Sequence, residues 1–144
     1  MKTRRRSAAV IVTLSGAAIA AGGALPWVCA RGRRPTSGIT HTSLTGLFHW
    51  SYQTSSPFLR SFGLAVVVAG VLVLIGGLIA SRALAALFSL IALAAGGLWI
   101  GLNATHYNPV NLPYSDLRVG AWLTIGGGLA GLTGAFFLRR AVRT

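Results

Sequence analysis

Acidic residues are almost absent. Asp116 is the only one in 144 residues, against thirteen lysines and arginines. Charge of either sign is scarce: 10% of the chain, where an average soluble domain carries about 25%. That shortfall points away from a water-facing surface and toward lipid as the solvent. A single cysteine, Cys29, excludes an intrachain disulfide, a CxxC motif and a cysteine metal cluster. It also excludes a quinone-linked thiol oxidoreductase of the four-helix type, which needs paired cysteines; Cys29 itself is left free, lipid-facing or joined to a second chain. No histidine lies in a long apolar run, which removes haem ligation of the kind found in four-helix membrane cytochromes. His41, His49 and His106 stand outside those runs, and no two have the spacing of a helical metal site. No nucleophile–base set is visible. The expectation is a protein that is not an enzyme and takes no cofactor and no metal.

What the chain does have is hydrophobic residues in blocks. They make up 53% of it. Four runs, 8–28, 58–80, 83–102 and 119–138, reach the roughly 18–20 residues that cross about 30 Å of hydrocarbon. Only Arg60, near the start of the second, places a charge inside a run. The runs are continuous rather than alternating, which argues against a β-barrel. The expected fold is an all-α membrane protein: a single four-transmembrane-helix bundle with a small extracytoplasmic lid. The lid would come from outer loops 29–57 and 103–118. The first is too long for a bare connection, and its Thr, Ile, Phe, Trp and Tyr content suits a short β-hairpin, strands 39–44 and 47–53 turning at Thr45-Gly46.

The basic residues sit at the ends of the runs. Lys2, Arg4, Arg5, Arg6, Arg82, Arg139, Arg140 and Arg143 fall on one side of a four-span chain; Arg31, Arg33, Arg34, Arg60 and Arg118 fall on the other. In a soluble protein such an excess would suggest nucleic acid. At span ends it reads as topology and as contact with anionic lipid headgroups, so no nucleic-acid partner is expected. The denser side is the cytoplasmic one, which puts both termini in the cytoplasm and the protein in a bacterial plasma membrane. "MKTRRR" before an apolar run also has the look of a signal peptide. The residues before Cys29 do not make a lipoprotein cleavage site, and an uncleaved signal anchor is the better reading.

Small residues at four-residue spacing let membrane helices approach closely. Gly120, Thr124 and Gly128 make one such row on the last helix, and Gly127, Gly131 and Ala135 make another. Ala85, Ser89, Gly97 and Gly101 run along the third helix. The glycines Gly97, Gly101, Gly120, Gly127, Gly128 and Gly131 are therefore candidates for bundle packing or for a partner interface. Trp27, Trp50, Tyr52, Trp99 and Tyr107 stand at the outer ends of the helices, where the membrane interface favours half-wet aromatic rings. Arg31, Arg33, Arg34, Phe48, His49 and Trp50 are candidate outer-loop contacts. Arg60, Asp116 and Arg118 form a candidate polar cluster, with Asp116 as a helix cap or the trio as a headgroup site.

"ALPWV" at the end of the first run, Ser37-Gly38 in the outer loop and "RVGAWLTIGGGLAGLTGAFFLRR" as the last run resemble small four-helix membrane proteins common in actinobacteria. These include the family labelled tryptophan-associated transmembrane proteins. The resemblance covers most of the chain and implies no enzymatic activity and no catalytic residue. The layout is also similar in shape to the claudin and peripheral myelin protein type, with Trp27 followed by Gly46-Leu47-Phe48. Phe48 stands where that type has a second tryptophan, and its paired loop cysteines are missing. The expected function is a non-enzymatic accessory or scaffold subunit of a larger envelope or membrane complex, with either a larger membrane-protein partner or a second copy of itself. A small transporter or channel component is the alternative.

Overall fold

The computed structural model describes residues 2–25, 27, 62–104 and 117–140. They form four helices: α1 (Lys2–Ala24), α2 (Phe62–Leu78), α3 (Arg82–Ala104) and α4 (Val119–Arg140). There is no strand among the described residues. The hairpin expected at 39–53 lies outside them, as does almost all of both outer loops. Three helices are long and apolar enough to cross a membrane: 6–24, 82–101 and 119–138, with mean hydropathy 1.7, 2.2 and 1.5. α2 is apolar over a shorter stretch, Gly63–Leu78.

The expected runs and the observed helices agree closely for α3 and α4. The first run was expected to continue to residue 28, but α1 stops at Ala24. The next residues explain it. Proline at 26 has no N–H to donate and disfavours helical backbone at Leu25, and Trp27 turns inward instead. The second outer loop was expected from residue 103, and α3 runs on to Ala104.

α1 organises the bundle. It packs along its length on α2 and on α4, while α3 closes the ring between α2 and α4 and lies diagonal to α1. The α1–α2 seam is backbone on backbone. A Cβ on Gly16 would fall on the Leu74 amide nitrogen, and one on Gly70 would fall on that of Ala20. One on Gly77 would sit 2.6 Å from the Thr13 nitrogen, and one on Gly23 would sit 2.8 Å from the Gly63 carbonyl. The α1–α4 seam is built the same way. Gly127 takes Ile19 and the Ser15 carbonyl, and Gly134 takes Val12 and Ile11. Contact positions advance in alternating steps of four and three, the repeat of left-handed bundles. Lipid offers no hydrophobic gain to helix association, so this closeness of backbones, with its dispersion contacts, supplies the cohesion. Leu14, Leu87, Leu98, Leu129, Phe136 and Phe137 point outward.

The α2–α3 connection is tight. Ser81 N–H donates to the Gly76 carbonyl at 2.8 Å, and Ala80 N–H to the Gly77 carbonyl at 3.1 Å. That pair of bonds is the Schellman closure of a helix C-terminus, which needs a left-handed residue just past the end. Ala80 fills that place with φ 52°, the only non-glycine residue with positive φ among those described. The Ser81 carbonyl already accepts the Ala85 N–H at 3.1 Å, so α3 starts at once. Gly76 lies against the Ala85 backbone, which lets the two helices turn back without separating.

Candidate functional site

Two arrangements stand out in the bundle, an indole clasp at one end and a hydroxyl seam in the middle. The clasp begins with the unsatisfied carbonyls that every helix leaves at its C-terminus. At the end of α1 the Ala21 carbonyl accepts the Leu25 N–H at 3.0 Å. The Gly22 carbonyl accepts the Trp27 indole Nε1–H at 2.7 Å. Trp27 then offers its own carbonyl to the Arg118 N–H at 2.8 Å, one residue before α4 starts. One tryptophan thus ties the end of α1 to the beginning of α4.

Glycine makes room for its ring. A Cβ on Gly120 would lie 2.7 Å from Trp27 Cδ1, and one on Gly96 would lie 3.6 Å from Cη2. The indole therefore lies across the bundle from α4 to α3. There it meets Trp99 edge to face, with centroids 5.2 Å apart and planes at 80°, a favoured aromatic geometry. Trp27 is 0% exposed and Trp99 1%. This corrects the expectation that both rings belong to the interface belt: they are interior side chains that fill the end of the bundle. The missed signal was in the spacing. Ala85, Ser89, Ala92, Gly96 and Trp99 advance in steps of four and three, so Trp99 ends the inward row of α3. Trp122, 59% exposed on α4, has the outward setting that Trp27 and Trp99 lack.

Below the clasp runs a seam of hydroxyls. Thr124 donates to the Gly120 carbonyl at 3.0 Å, Ser15 to Ile11 at 2.7 Å, and Thr13 to Ala9 at 2.9 Å. Each hydroxyl is satisfied on its own helix. Ser89 is the exception: it is fully buried, and its Oγ has no hydrogen-bond partner. It faces Gly131, where a Cβ would fall on Ser89 Oγ and approach Ser15 Cβ at 3.5 Å. The Gly131 Cα–H in that direction points at the oxygen, a weak C–H···O contact of the kind recurrent between close helices.

The glycines of the sequence reading divide by face. Gly120, Gly127 and Gly131 pack toward α1, with Gly131 also meeting Ser89, and Gly128 packs against Leu93 of α3. Gly97 and Gly101 have nothing within 4 Å of where a Cβ would stand, and both are exposed. The expected row from Ala85 and Ser89 to these two glycines does not share one face. Of the polar cluster, Arg118 is described and exposed; Arg60 and Asp116 lie outside the described residues. So do Arg31, Arg33, Arg34, Phe48, His49, Trp50, Cys29 and all three histidines. The described residues contain no histidine, cysteine or carboxylate, and what they can do is pack, donate from hydroxyls and present arginines. Comparison with protein-family models, with curated proteins and with solved structures finds no match to this chain.

Proposed function

We propose that this chain is a non-enzymatic integral membrane subunit, an accessory or scaffold component of a larger complex in a bacterial plasma membrane. In this reading all four helices span. The 17 residues of α2 reach about 26 Å at 1.5 Å per residue, the short end of the spanning range, and α2 runs beside α1 from Gly63 to Gly77. The end with Arg6 and Arg82 faces the cytoplasm, where short basic segments belong. The Trp27–Trp99 clasp then lies at the outer end, at the root of a small lid formed by the two outer segments.

One observation carries the subunit reading: α3 turns Gly97 and Gly101 outward, four residues apart, with no covering side chain among the described residues. Elsewhere in the bundle such glycines are met by a neighbouring helix, Gly126 excepted. A bare glycine pair on a lipid-facing helix suits a second helix, which gains close contact that lipid tails do not provide. Purification of the tagged protein from its native membrane in mild detergent, read by mass spectrometry, tests this. A stoichiometric larger membrane protein is the expected companion; recovery of the chain alone would defeat the proposal.

A small transporter or channel component is the second reading, favoured by the unpaired Ser89 hydroxyl in the core, since polar groups inside spans often line a path. Solute or ion flux through the purified protein in liposomes would favour it over the first.

A further inference from the structure

The two seams of α1 fix how far it reaches beyond its neighbour. Gly77 meets Thr13, and α2 ends one residue later, at Leu78. Arg6 is seven residues from Thr13, which is two turns and about 10 Å at 1.5 Å per residue. Residues seven apart share a helix face to within about 20°. The face of α1 that covers α2 therefore continues past the end of α2, and there it carries Arg6. The molecule thus has a step. The α2–α3 turn is its floor and the first turns of α1 are its wall.

The floor is mixed in chemistry. Leu78 and Ile79 are strongly exposed, and Arg82 follows them, also exposed. Arg6 on the wall is exposed as well. α4 extends alongside α1: Ala8 and Leu138 are both buried at this end, and Arg139 and Arg140 come next along α4. No acidic residue belongs to any of these segments. Bases on adjoining helix ends repel one another unless an anion joins them, and the described residues supply none.

We propose that the step holds one anionic phospholipid. Its phosphate lies between Arg6 and Arg82, and the upper part of its acyl chains lies against Leu78 and Ile79. The exposed apolar residues Leu78 and Ile79, just before Arg82 in the same turn, select a lipid over a nucleic acid or a soluble phosphate, neither of which would use them. This inference rests on the reading above that the bundle is membrane-embedded with this end at the headgroup level.

The test is native mass spectrometry of the protein released from bilayers of phosphatidylcholine containing a minority of phosphatidylglycerol. One phosphatidylglycerol per chain is expected to survive release. Arg6→Gln and Arg82→Gln should each weaken its retention about fivefold, the effect of one base at a charged membrane surface. Arg118→Gln removes the same charge at the opposite end and should leave retention unchanged, and Arg6→Lys with Arg82→Lys should keep most of it. Equal losses for Arg82→Gln and Arg118→Gln would overturn the proposal in favour of diffuse attraction. Displacement of the lipid by inorganic phosphate, or equal retention of phosphatidylcholine, would overturn it too. Extraction of the protein from membranes by alkaline carbonate would instead defeat the membrane reading itself.

Discussion

Gly96 and Gly97 are neighbours on α3 and meet opposite surroundings. At Gly96 a side chain would touch Ile125, Thr124 and Trp27; at Gly97 a Cβ would have none of the described residues within 4 Å. The inward face of α3 continues through Ala85, Ser89 and Ala92 to Trp99, each fully or nearly fully buried. The outward face carries Leu87, Leu90 and Leu98 with Gly97 and Gly101 set among them. On the inner face smallness is spent on fitting α4 and the clasp. On the outer face it meets no contact among the described residues, which leaves that face open to a partner of the kind proposed above. The comparison teaches that glycine content alone says little about a membrane helix, and that the covering neighbour decides what each glycine does.

Substitutions on covered glycines should be the most damaging. Gly70→Leu would drive a side chain into the Ala20 backbone, and helix backbones cannot yield as side-chain tips can. The expected loss is more than about 4 kcal/mol, the range of severe overpacking. It should appear as failure to recover folded protein from mild detergent. Next comes the clasp. Trp27→Ala removes a fully buried indole, its bond to Gly22 and its contact with Trp99. A cost of about 3–5 kcal/mol is expected, read as a lower midpoint for unfolding in mixed micelles.

Ala80→Gly acts in the other direction. A left-handed residue with a Cβ is strained by roughly 1 kcal/mol relative to glycine, so this variant should raise the unfolding free energy by about that much, read as a higher midpoint. No change would mean that the turn relaxes in the membrane. Smaller still is Ser89→Ala. Its hydroxyl has no partner to lose, so the variant should be neutral to about 1 kcal/mol more stable. A clear destabilisation would show that Ser89 holds a bond on the inner face that the fold does not display.

Much of this architecture was legible in the sequence, for a physical reason. Uninterrupted apolar runs have few alternatives to helix, and the run expected at 119–138 became α4 almost residue for residue. Facing was less legible. In Gly126-Gly127-Gly128 one glycine points outward, one to α1 and one to α3, and composition cannot rank them. Four-residue rows mislead because the contacts advance in alternating steps of four and three. Gly120 and Thr124 therefore share their seam with Gly127 rather than with Gly128. Trp27 and Trp99 were read by their position near helix ends, where the interface is a good prior. The inward row of α3 could have flagged Trp99, but the burial of Trp27 depends on Gly96 and Gly120 clearing space on two other helices, a tertiary fact no local pattern carries. The candidate contacts at Arg31 to Arg34 and at Phe48 to Trp50 belong to segments that the described helices do not include.

The most direct test pairs the two faces of α3 in one experiment. Gly97→Leu with Gly101→Leu fills only the bare outward pair, so the unfolding free energy should change by no more than about 0.5 kcal/mol, as for substitutions that touch nothing. The same variant, tagged and purified from native membrane in mild detergent, should lose the stoichiometric companion that the unaltered chain brings down. A variant that folds normally and still recovers that companion would contradict the assignment of the outer α3 face as the docking surface.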